Sequence, residues 1–187
     1  MNNTTIKPVD LNTLAAEAHE NAVAHGFYED FDKGDIDRQE MEARNFALIH
    51  SELGEAVNEQ RYRLLFYRRP NEGVAVELAD FVIRLMDYAA WAGVALPESD
   101  VDVNVPTYGS LPRLVNALHD LVCDMAAQSE LRNVAIPADS RLMASMIATT
   151  ICVVQRYLAA RDLDLWEVVR EKMSYNKTRP YRDGKLY

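Results

Sequence analysis

Glycine and proline are scarce, with seven of each in 187 residues. That scarcity excludes a fold built on tight β-turns or proline-rich linkers, and no stretch shows the polar–apolar alternation of a half-buried strand. Cysteine is nearly absent. Cys123 and Cys152 both lie in apolar helical sequence, which predicts two buried, reduced thiols and no disulfide framework. The longest apolar runs are interrupted by Asp80, Arg84 and Asp87, so no membrane span and no membrane partner are expected. The opening MNNTTIKPVD lacks the basic-then-apolar order of a secretion signal, and a cytoplasmic location follows as an expectation. Positive charge is also in deficit. A net charge of −9 argues against a protein whose main work is holding a nucleic-acid polymer. A nucleotide substrate stays open, because bound cations invert the local field.

What is present reads as helix. Apolar residues make up 49% and charged residues 26% of the chain, ordinary values for one globular domain with a sizeable core. Residues 11–25 have helical spacing and stop at Gly26; 26–38 reads as a loop. Further helices are predicted from Glu40 through Val57, from Val74 to Ala92 with Gly93 as terminator, from Leu111 to about Ser129, from about Asp139 to Ala160, and from Leu163 to Tyr175. The fold class is therefore an all-α helical bundle. A single domain spans 1–187, with a first helical half at 11–98, a second at 110–175 and a basic tail at 176–187. At a constant offset of 69 positions, His50 aligns with His119, Tyr88 with Tyr157, Leu96 with Leu165 and Glu98 with Glu167. The second half is thus either a worn copy of the first or a chance likeness.

Two acidic pairs stand out inside apolar helical sequence: Glu52-x-x-Glu55 in HSELGEAV and Glu77-x-x-Asp80 in VELADFVI. A spacing of three puts each pair on one helix face, about one turn apart. Four carboxylates turned toward an apolar interior repel one another and lose hydration, at a cost of several kcal/mol per ion. A positive partner is needed, and a hard divalent cation such as Mg²⁺, with Mn²⁺ as substitute, suits an all-oxygen set. The chain has no Glu-x-x-His, no zinc-protease helix, no Walker loop and no glycine-rich dinucleotide fingerprint. For antiparallel helices to bring the two pairs to one height, the first must leave its straight course near Gln60. Arg61 to Gly73 then becomes a long connection beside the metal, carrying Arg61, Arg63, Arg68 and Arg69. The plainer reading is a helix running on to Phe66 with a solvated arginine face.

The order Glu52-x-x-Glu55, twenty-one residues, Glu77-x-x-Asp80 resembles the signature of the all-α nucleoside triphosphate pyrophosphohydrolases, the MazG and dimeric dUTPase superfamily. The closing segment from Lys172 through Asn176 and Arg179 to Lys185 is similar to the tail of MazG-like members. The resemblance covers residues 12–98 and 165–187. It implies hydrolysis of (deoxy)nucleoside triphosphates between the α and β phosphorus atoms, to monophosphate and pyrophosphate, in nucleotide-pool control. It further implies that Glu52, Glu55, Glu77 and Asp80 hold Mg²⁺, and that the chain assembles as a homodimer or homotetramer. One departure is Ser51, which stands where many members carry a further glutamate.

Read from chemistry alone, Glu52 or Glu55 is the candidate catalytic base that orients or deprotonates water. Lys172, Asn176 and Arg179 recur at helical spacing, so one face presents two cations and an amide to phosphate oxygens; a solvated basic helix end is the plain alternative. Arg84 continues the face of Glu77 and either contacts substrate, steadies a ligand carboxylate or forms an ion pair with Asp87. His19, His25, His50 and His119 show no partner constellation. Trp91, Tyr88, Phe27 and Tyr28 either stack on a base or belong to the core. Two other classes remain: a non-catalytic nucleotide-binding or assembly protein on the same scaffold, and a carboxylate-bridged redox metal protein. Base and sugar preference is not encoded in any motif.

Overall fold

The computed structural model describes residues 9–61, 72–97, 105–133 and 140–181. Among these residues all extended regular structure is helical, as expected: α1 (Leu11–Ala24), α2 (Glu29–Asp32), α3 (Arg38–Arg61), α4 (Val74–Ala92), α5 (Leu111–Asn133), α6 (Ser140–Ala159) and α7 (Leu165–Asn176). The helix ends have local causes. Asp10 caps α1 by accepting from the amides of Asn12 and Thr13, both at 3.1 Å. Asp164 caps α7 through the Trp166 amide at 2.8 Å. Gly93 closes α4 in the left-handed region at φ 70°, where a side chain is disfavoured. The single turn α2 lies where a loop was expected. Its flanking aromatics explain it: Tyr28 stacks on Trp91 at 6.2 Å and Phe31 meets the same ring edge-on at 5.7 Å, anchoring both ends of the turn.

Helix α4 is the axis of the bundle. It is apolar around most of its circumference, so it is stable only when surrounded. It packs against α1, α3, α6 and α7, with Leu78, Phe81, Val82, Leu85 and Met86 fully buried. Each such side chain contributes about 1.5–3 kcal/mol by leaving water. That packing fixes the helix's rotation, and with it the direction of Glu77, Asp80, Arg84 and Asp87. Asn12 ties α1 to the chain beyond α4, donating to the Leu96 carbonyl and accepting from its amide, both at 2.8 Å.

Helices α5 and α6 form a second hairpin, which meets the first through α3 on α5 and α4 on α6. Moved 69 positions along the chain, α3 and α4 overlie α5 and α6 to within four residues at every boundary. His50 and His119, the residues related by that shift, touch through the same atom, with Nδ1 to Nδ1 at 2.7 Å. The contact thus joins two residues that the 69-position offset relates. Within α6 the stretch Arg141–Ala159 is long and apolar enough to cross a membrane by composition. Here its apolar side, Met143, Ile147, Ile151, Val154 and Leu158, is buried in the bundle.

The thiol expectation needs correction. Cys123 is exposed and Cys152 half-buried, both free of disulfides; the apolar spacing of α5 covers its core face, and Cys123 falls outside that face. The described part of the basic tail, as far as Tyr181, returns to the end of α1. His25 Nε2 donates to the Arg179 carbonyl at 3.1 Å, and the Tyr181 hydroxyl bonds Glu29. The Tyr181 ring lies against Gly26, whose φ of 80° and lack of Cβ make room for it. Arg63, Arg68, Arg69, Arg182 and Lys185 lie outside the described residues, and the substrate-contacting loop expected around Arg61–Arg69 falls largely there. Helix α3 is described as far as Arg61, and both readings of the chain beyond it, a connection or a helix running on to Phe66, lie outside the described residues.

Candidate metal centre between three helices

Helix α3 contributes Glu52 and Glu55, α4 contributes Glu77, Asp80 and Arg84, and α7 contributes Lys172 and Asn176. All line one cavity of about 310 Å³, closed on the other side by α1 at Ala18 and Ala22. One carboxylate oxygen from each of Glu52, Glu55 and Glu77 lies within 4.8 Å of the other two. The antiparallel-height argument therefore holds for the first pair and Glu77. Glu52 and Glu77 are buried, at 7% and 8% exposure, while Glu55 faces the opening.

Asp80 is engaged differently. Its Oδ2 accepts from Lys172 Nζ at 2.8 Å and its Oδ1 from Asn176 Nδ2 at 3.3 Å. Lys172 is only 6% exposed, so the solvated-helix-end alternative fails for it; it is a buried cation facing a buried anion. Asn176 completes its contact with Asp80 while its Oδ1, buried in the same cavity, accepts no hydrogen bond. Arg179 lines the cavity from the turn after α7, not from the helix itself, whose last residue is Asn176. Arg84 Nε donates to Glu52 Oε1 at 3.3 Å, with the guanidinium 4.8 Å from the Phe27 ring centroid, and the side chain lines the cavity and feels the charge of Asp87 as well.

The electrostatics follow from burial. Glu52 is pushed up to about 7, first by desolvation and then by the negative charge of Asp80, with Arg84 opposing. Glu77 is pushed up to about 8 by desolvation and Asp80, with Lys172 opposing. Metal-free, the cluster holds protons at neutral pH that ordinary glutamates release.

The donor set fits a hard divalent ion. Octahedral oxygen ligands at about 2.1 Å place neighbouring oxygens about 3 Å apart and opposite ones about 4 Å apart. Three oxygens within 4.8 Å of one another reach that spacing by small side-chain rotations. Asp80 lies outside that group of three, with its two oxygens on Lys172 and Asn176, and the Asn176 Oδ1 is a buried oxygen without a hydrogen-bond partner.

No protein-family model, curated protein or solved structure matches this chain. The functional reading therefore rests on the residues themselves.

Two partnerships contradict the expectation that the histidines stand alone. His19 Nδ1 donates to Asp87 at 2.8 Å, and Tyr28 donates to the same oxygen at 2.9 Å. Asp87 is thereby held at the cavity wall by α1 and the turn after it. Burial and the Asp87 charge push the Tyr28 hydroxyl far above its ordinary range, so it stays a donor. His50 pairs with His119 as described. Tyr28 and Tyr88 are core residues, Trp91 packs among Tyr28, Phe31 and Tyr88, and Phe27 alone of the four aromatics lines the cavity. These contacts join residues 59 and 68 positions apart, and only the i, i+7 spacing of Asp80 and Asp87 hinted that Asp87 faces the cavity.

Proposed function

We propose that this chain is a Mg²⁺-dependent, MazG-like nucleoside triphosphate pyrophosphohydrolase, cleaving the α–β phosphoanhydride to give monophosphate and pyrophosphate. The observation that carries the reading is the convergence of Glu52, Glu55 and Glu77 oxygens within 4.8 Å, opposite Lys172, Asn176 and Arg179 around one cavity. Acid on one wall and base on the other suit a polyphosphate, a chain of anionic oxygens that needs neutralising before water approaches.

Glu52, Glu55, Glu77 and Asp80 would hold Mg²⁺, which supplies charge neutralisation and stabilises the leaving pyrophosphate. Lys172 and Arg179 present N–H donors to phosphate oxygens, and Asn176 sets the orientation of Asp80. Arg84 keeps Glu52 in place, bracing it against Phe27. Glu55, the most exposed carboxylate of the cluster, is the group best placed to receive the proton of an attacking water from bulk-accessible space. The walls at Ala18, Ala22 and Phe27 offer apolar surface for a nucleoside. A homodimer or homotetramer and cytoplasmic residence belong to the same proposal, and light scattering and cell fractionation test them.

The test is a panel of NTPs and dNTPs with Mg²⁺, assayed for both products. Monophosphate and pyrophosphate in equal amounts are expected, with activity abolished in Glu55→Gln and Asp80→Asn while helical circular dichroism persists. Orthophosphate as the sole product, or full activity in either variant, defeats the assignment. Nucleotide binding without turnover would establish the non-catalytic reading, and iron in the purified protein the redox one.

A further inference from the structure

Helix α4 lines the cavity with Glu77, Asp80, Arg84 and Asp87, spaced so that all fall on one helix face. The two acids nearer its start belong to the candidate metal centre, and Asp87 stands apart from them. It lies about 10 Å along the axis from Asp80, at roughly 1.5 Å per residue. A phosphate bound at the metal centre does not reach that far, whereas the nucleoside attached to it does. Asp87 is 4% exposed, and its surroundings hold it rigidly. His19 Nδ1 at 2.8 Å and the Tyr28 hydroxyl at 2.9 Å both bond Oδ1. The two donor rings meet edge to face with centroids 4.8 Å apart, which fixes them in turn. Oδ2 takes no hydrogen bond from any described residue. A buried carboxylate oxygen without a donor is destabilising, and a ligand that brings an N–H or O–H recovers that loss.

We propose, resting on the nucleotide reading above, that Asp87 is a specificity residue whose Oδ2 accepts a donor group of the nucleoside, with His19 and Tyr28 as its positioning residues. An ionised carboxylate only accepts, so this wall admits an N–H or O–H and repels a carbonyl oxygen or an unprotonated ring nitrogen. The base edge and the 3′-hydroxyl of the sugar both carry such donors, and the axial distance from Asp80 favours the base edge. Clamping Oδ1 from two directions matters because a carboxylate free to turn would have to be ordered at each binding event. Selectivity then comes from a preorganised acceptor. A nucleoside without a donor at that place leaves Oδ2 buried and unpaired in the complex.

The experiment is calorimetric titration, with Mg²⁺, of the wild-type chain and Asp87→Asn against inorganic tripolyphosphate and the α,β-imido analogues of the common NTPs. The variant keeps one oxygen for His19 and Tyr28 and turns Oδ2 into an amide donor; circular dichroism checks its fold. Its affinity for the best-bound nucleotide should fall by at least about 10-fold, the worth of one charge-assisted hydrogen bond, with tripolyphosphate affinity unchanged. An N-methylated base analogue, lacking the donor, should bind the wild type that much more weakly and should not distinguish it from the variant. The 3′-deoxy nucleotide should keep the full difference; the reverse pattern of these two analogues would place the donor on the sugar. Unchanged nucleotide affinity in Asp87→Asn, or an equal loss for tripolyphosphate, overturns the proposal and leaves the nucleotide reading standing. A wild-type chain that binds no nucleotide at all defeats that reading and this one together.

Discussion

Glu52→Gln provides the most direct probe of the cavity, because it keeps the side chain's shape and removes its charge. The folded-state carboxyl titrates at about 7 against an ordinary value of 4.5. At about 1.36 kcal/mol per unit, ionising it inside the metal-free fold costs about 3 kcal/mol. Because the folded pKa is raised, its contribution to stability is fully present below about 4.5 and is lost as pH rises through about 7. Glu77 acts with the same sign over a window reaching about 8, with Lys172 opposing the shift. The metal-free wild type should therefore lose stability steadily between pH 4.5 and 8. Glu52→Gln is neutral throughout, and its amide oxygen still accepts from Arg84. Near pH 8.5 it should melt higher than the wild type by roughly 6–12 °C, since 1 kcal/mol shifts a chain of this length by about 2–4 °C. Near pH 4.5 the two should melt together. Millimolar Mg²⁺ should raise the wild-type melting temperature by mass action and leave the variant nearly unmoved. Scanning calorimetry in chelator and in Mg²⁺ at both pH values measures all of this. Equal melting temperatures at pH 8.5 without metal would refute the claim that these carboxylates are buried against one another.

Lys172→Met removes the buried cation facing Asp80 and leaves that carboxylate with Asn176 alone; urea unfolding at pH 7 should show a loss of about 3 kcal/mol or more. Asp80→Asn in the same background should recover much of that loss, because it removes the stranded charge. Gly26→Ala combines a positive φ of 80° with a Cβ driven into the Tyr181 ring, so it should cost about 1 kcal/mol and release the tail to proteolysis, read by limited digestion.

The helices and the carboxylate pairs were legible because each depends on residues within one element. Val74 to Ala92 closed by Gly93 is a local statement about apolar spacing and a left-handed terminator, and the observed α4 has those bounds. Glu52 with Glu55 on one face of α3 needs only the helical repeat. The turn α2 was misread as loop because its cause, the docking of Tyr28 and Phe31 on Trp91, spans some sixty residues. The isolation of the histidines was misjudged for the same reason. Nothing near His50 in the chain announces His119, although their 69-residue offset had aligned them as equivalents.

By itself, then, the amino-acid order determined the all-helical class, the main helix spans and the presence of two carboxylate pairs at helical spacing. Tertiary packing decided how those acids are used. Rotation of α4 within its ring of neighbours set Glu77 against Glu52 and Glu55, while α7 delivered Lys172 to Asp80 across ninety-two positions of chain. Periodicity specifies which residues share a face, but the angle and height at which two faces meet are set by the interlocking of side chains from separate helices. That information exists only once the core is closed.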